Sequence, residues 1–102
     1  MTGEVLARGA LQDVLVHNHL AAVFVDDQVV VLSELASAVL LAVPEDGWVA
    51  IGSVVASLVA QFGEPPGEDA ATITQRLVGE LLDHGIVRTT MIDSADDELG
   101  LG

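Results

Sequence analysis

Residues 26–43 read DDQVVVLSELASAVLLAV. The Val29-Val30-Val31-Leu32 run is β-branched and apolar, the mark of a strand. One serine later the pattern changes. Leu35, Ala36, Val39, Leu40 and Val43 recur at the spacing of one helix face. Ser33 suits an N-cap, because its hydroxyl can accept a hydrogen bond from an orphan N–H of the first turn. Glu34 then lies at the positive end of the helix dipole. Pro44 ends the helix. A strand that enters a helix through a single capping residue has no connecting loop, so the two elements are held side by side. That junction restricts the chain to folds in which a strand edge stays beside a helix.

The neighbouring segments extend the pattern. Residues 11–16, 22–25 and 29–32 are three short β-type runs. They are broken by His17-Asn18-His19 and by Asp26-Asp27, where a tight hairpin turn falls. They predict a small antiparallel sheet. PEDGW is a turn, and from Ile51 apolar residues recur at Val54, Val55, Leu58, Val59 and Phe62, a helical spacing that stops at Gly63. EPPGED is too rich in Pro and Gly for regular structure. A third helix is expected over 68–84, with Ile73, Leu77, Val78, Leu81 and Leu82 on one side and Glu68 or Asp69 at its start. Gly85 is placed as the left-handed residue after it, and Ile86 as the hydrophobic contact that follows. Residues 87–90 extend briefly. Residues 1–10 read as a loose start and 91–102 as a frayed acidic tail, leaving one domain over 11–90. The expected fold class is α+β: a winged-helix-like unit with a three-stranded antiparallel sheet followed by three helices, β-β-β-α-α-α.

Composition excludes several functions. Of 102 residues, 51% are hydrophobic but only 3% aromatic, so a core must be built from Val, Leu, Ile and Ala. The 16 acidic residues outweigh three basic ones, Arg8, Arg76 and Arg88, and there is no lysine. Phosphate neutralisation needs a clustered basic surface, so neither nucleic acid nor an anionic membrane is an expected partner. There is no cysteine, hence no disulfide framework and no thiol chemistry. No apolar run approaches the roughly 20 residues of a membrane span, and the first residues lack a secretion signal. A soluble, cytoplasmic protein is expected.

The ordered signature VVVLSELASAVL, EDGW, GSVVASLVAQFG, EPPGED and ITQRLVGELLDHGIV resembles the PqqD-like proteins, or RiPP recognition elements, over residues 11–88. The resemblance implies a binding module without catalytic residues or cofactor. Such a module holds the leader segment of a ribosomally made precursor peptide and presents the core segment to a separate modifying enzyme. The leader is implied to lie as an added strand beside the third strand, with the third helix as the other wall. That puts Val29, Val30, Val31 and Leu32 on the docking strand and Ile73, Arg76, Leu77 and Glu80 on the helical wall. A strand edge without Pro, Lys or Gly suits such pairing. A homodimer through exposed edges is also open.

Each of these residues has an ordinary reading too. Residues 29–32 could be a core strand, and Ile73 and Leu77 simple core packing. Arg76 could pair with Glu80 at i,i+4 instead of with a leader carboxylate. His17 and His19 share a strand face but have no further ligands in sight, so they read as hairpin residues and not as a metal site. Ser94 in IDSADD resembles the attachment site of acyl carrier proteins, but no helix is expected after it. No nucleophile, phosphate loop or carboxylate pair stands out. The alternative function is a winged-helix protein-interaction or regulatory subunit.

Overall fold

The computed structural model describes residues 2–93; Ser94 and the rest of the acidic tail lie outside the described residues. The element order is β1 (Thr2–Arg8), β2 (Asp13–His17), β3 (Leu20–Val25), β4 (Gln28–Val31), α1 (Glu34–Ala42), β5 (Val49–Ala50), α2 (Ile51–Phe62), α3 (Ala70–Asp83) and β6 (Val87–Asp93). Over the described residues the fold is α+β, with two antiparallel three-stranded sheets and three helices. One sheet runs β2-β3-β4, the other β5-β1-β6.

The first sheet is the one legible in the local pattern. Its two hairpins turn on Asn18-His19 and Asp26-Asp27, and all four residues have positive φ. Two-residue turns with both residues at positive φ match the twist of the flanking strands, and Asn and Asp tolerate that conformation best among residues other than glycine. The Gln12 side chain grips the second turn through the Asp27 N–H and carboxylate, at 3.3 and 3.5 Å. Ala21, Val23 and Val25 alternate inward from β3 and are buried.

The second sheet overturns the reading of residues 1–10 as loose. β1 pairs along its whole length with β6, from Thr2↔Asp93 to Arg8↔Val87. It buries Val5, Leu6 and Ala7 in the process. The brief extension expected after Ile86 is therefore a seven-residue strand reaching Asp93. The β-β-β-α-α-α order becomes six strands interleaved with three helices.

The helices form where their caps place them. Ser33 Oγ accepts from the Ala36 N–H at 3.2 Å, as its position before α1 predicts. At the other end of α1, Arg8 donates to the Val43 and Leu40 carbonyls at 3.0 and 3.4 Å, supplying a cation where the dipole is negative. Asp69 caps α3 through the Ala71 N–H. α3 ends as expected: Gly85 has φ +72°, its N–H reaches the Leu82 carbonyl, and the Ile86 N–H reaches that of Leu81. Ile86 is fully buried, so this cap also delivers the chain into β6.

Gly9 joins the two ends of the molecule. Its N–H bonds to the Ile86 carbonyl at 2.8 Å, and a Cβ at Gly9 would run into the Gly85 carbonyl oxygen. Gly9→Ala is expected to lose at least about 1 kcal/mol of stability, because the atom it meets is backbone and cannot turn aside. Urea unfolding of the two proteins checks this.

Candidate functional site

Among the described residues β4 pairs with β3 alone, which makes it an edge strand. Its hydrogen-bond phase follows from the hairpin. Residues flanking a two-residue turn form a bonded pair, after which bonded and non-bonded pairs alternate. Val25↔Gln28 and Val23↔Val30 are thus bonded pairs. The Leu32 N–H, 2.9 Å from the Ala21 carbonyl, continues the same phase beyond the last strand residue. Val29 and Val31 fall between them. Their N–H and C=O groups point away from β3, toward the free edge. Their side chains stand on the outer face of the sheet, 55% and 67% exposed. Val30 points inward and packs against the core, and Leu32 is buried in it.

The junction after β4 holds its shape through Ser37. The Ala21 N–H donates to Ser37 Oγ at 2.8 Å, and the hydroxyl faces the Leu32 carbonyl at 3.5 Å. Ser37 is itself buried. Its hydroxyl stands where the second Ala21–Leu32 ladder bond, from the Ala21 N–H to the Leu32 carbonyl, would otherwise close the pair. It lets β4 peel into α1 without leaving a buried donor unpaired. Nothing about a serine among Leu, Ala and Val at helical spacing singles it out in the sequence.

α3 lies beside the β3–β4 turn at one end and beside α1 at the other. After α3, Gly85 lies against the β3–β4 turn: a Cβ there would come within 3.8 Å of Asp26 Oδ2 and 3.9 Å of Val25 Cγ2. Near its start, Ala70, Ile73 and Thr74 share a recess with Leu35, the second residue of α1. Leu58, Val59, Phe62, Pro65 and Pro66 complete this apolar recess of about 150 Å³. The recess was not read from the sequence, although the Pro-rich loop and the end of the second helix that form it were.

The residues expected on the helical wall divide. Ile73 is half-buried, lines the recess and packs on the same core as Val30. Leu77 is buried and belongs to the core. Arg76 and Glu80 are exposed. Arg76 pairs with Glu68, at 2.8 Å, and not chiefly with Glu80 as the i,i+4 reading had it. The hydrogen bond and charge of Glu68 raise the guanidinium pKa above its usual value, with Glu80 adding a smaller push. Glu68 lies in the loop before the Asp69 cap, so the chain turns back far enough to meet Arg76 two turns into the helix.

All three arginines are thus engaged within the chain. Arg8 serves the end of α1, Arg76 pairs with Glu68, and Arg88 lies over the Trp48 ring at 5.2 Å. Among the described residues no group of three or more His, Cys, Asp or Glu could hold a metal. His17 faces outward from β2 and His19 sits in the turn. No helix among the described residues is long and apolar enough to cross a membrane. No protein-family model, curated protein or solved structure matches this chain.

Proposed function

We propose that the chain is a peptide-binding module of the PqqD-like, winged-helix-like type. It takes the leader of a ribosomally made precursor as a strand added to β4 and presents the core segment to a separate modifying enzyme in the cytoplasm. The observation that carries this reading is the outward phase of Val29 and Val31 on an edge strand that leads directly into α1 through the Ser33 cap.

Energetics shape how such capture works. Two residues offer four ladder bonds, each worth about 0.5–1.5 kcal/mol net. Their sum, about 2–6 kcal/mol, barely meets the cost of association. Micromolar binding needs about 8 kcal/mol net. The difference has to come from apolar side chains of the peptide, at about 1.5–3 kcal/mol for each one fully buried. Peptide residues that alternate inward meet Val30, Ile73 and the recess beside Leu35. A leader with a large aliphatic or aromatic residue at that register is the expected ligand. The test is calorimetric titration with a candidate leader peptide, alongside one in which that apolar residue is replaced by serine. Equal affinity for both would argue against the groove.

Charge gives a second expectation. The net charge of −13 repels an acidic peptide at long range. Raising salt from 50 to 300 mM should leave leader affinity unchanged or strengthen it, since screening weakens the repulsion. Duplex DNA should show no binding at physiological salt, because the three arginines are already engaged. Salt-sensitive micromolar binding to DNA would contradict this reading of the surface.

A further inference from the structure

The outer face of the β2-β3-β4 sheet is apolar. The register places Leu15, Ala22 and Val31 in one row across the three strands, with Phe24 beside Val29 in the next and Leu20 beyond. Leu15, Leu20, Phe24, Val29 and Val31 are all large apolar side chains exposed by 41% or more. The opposite face of the same sheet is already packed on the core through Val14, Val23 and Val30. A sheet apolar on both faces is built to be covered on both. The face is acidic at one end. Asp13 stands opposite Phe24, and Asp26 and Asp27 form the adjoining turn. None of the three arginines lies on it.

We propose that this face docks a basic amphipathic helix of a partner protein, its apolar stripe on Leu15, Phe24 and Val31 and its Lys or Arg residues toward Asp13, Asp26 and Asp27. The size of the face selects a helix. Three strands and about five residues make a footprint of roughly 14 by 17 Å. That matches about three turns of a helix 10–12 Å wide. It falls far short of the ~800 Å² that each subunit of a standard interface buries. Charge selects the partner's sign. A second copy would bring another −13 to the same contact, whereas a cationic helix is drawn in. This docking leaves the outward N–H and C=O groups of Val29 and Val31 free, so it stands independently of peptide capture at the β4 edge.

The test uses fluorescein-labelled synthetic helices of about 14 residues, one with a leucine stripe and lysine elsewhere, the other with glutamate in place of lysine. Anisotropy titrations are run at physiological salt on the wild type, on a Leu15→Ser/Val31→Thr variant, and on Met91→Ser, which alters an exposed apolar residue on the other sheet. Both variants keep every charge. The expected result is binding of the lysine helix to wild type and Met91→Ser, at least about tenfold weaker binding to the double variant, and none of the glutamate helix. Retained binding in the double variant would mean attraction by net charge alone and would overturn the proposal. So would failure of the lysine helix to bind wild type. Dimerisation of the wild type in sedimentation, lost in the double variant, would assign the face to a second copy and overturn it equally.

Discussion

Ser37→Ala is expected to lower the unfolding free energy by about 2 kcal/mol, and Ser37→Val by more. The hydroxyl is the acceptor for the Ala21 N–H and faces the Leu32 carbonyl, both at the buried root of the β3–β4 pair. Alanine leaves no partner for the Ala21 donor, and a buried unpaired backbone group costs about 1–3 kcal/mol. Valine adds a methyl group against the same donor and also overpacks the site. For a domain of this size each kcal/mol lowers Tm by roughly 4–8 °C, so the alanine variant should melt some 8–16 °C below wild type. Denaturant unfolding followed by circular dichroism measures both. A loss under about 0.5 kcal/mol would show that the Ala21 N–H can bond the Leu32 carbonyl directly and that the serine does not hold the junction.

The larger functional effect is expected from proline in β4, and its cause depends on which residue is replaced. At Val31 the N–H points to the free edge, where proline is tolerated in a strand. Val31→Pro should therefore fold, yet lose a ladder donor and place its ring in the path of an added strand. Leader affinity should fall by at least about tenfold, the loss of one bond plus displacement of its neighbours. At Val30 the N–H belongs to the Val23↔Val30 pair. Val30→Pro should break the protein's own sheet, so that any loss of binding there reports unfolding. The comparison requires circular dichroism of each variant before titration. A folded Val31→Pro protein with wild-type affinity would exclude strand addition at this edge.

How much of this was legible in the sequence depends on how local each feature is. The Ser33 cap, the Asp26-Asp27 turn and the Gly85 terminus each rest on a few adjacent residues, and each lies where the pattern puts it. β1 does not. Its partner is β6, some 80 residues away, and TGEVLAR has neither strict alternation nor β-branched density. Pairing over that distance leaves no local periodicity to read, although Val87, Thr89, Thr90 and Ile92 do carry strand propensity. The edge position of β4 was expected, but the phase that separates Val29 and Val31 from Val30 needs the register. The register depends on the turn being two residues long. For Arg76 the sequence offers Glu80 at the visible i,i+4 spacing beside a leader carboxylate, whereas Glu68 reaches it through a loop. The doubly apolar sheet had a signal that went unused. LAAVFV and VVV lack the polar alternation of a strand with one wet face.

Amide hydrogen exchange at β4, with and without saturating leader peptide, tests peptide capture most directly. In the free protein the Val29 and Val31 amides face solvent and should exchange fast, while Val30, bonded to Val23, should be protected. On binding, the account predicts that Val29 and Val31 slow by at least about tenfold and that Val30 changes least. Val29 and Val31 amides that exchange at the same rate with the peptide bound would contradict it.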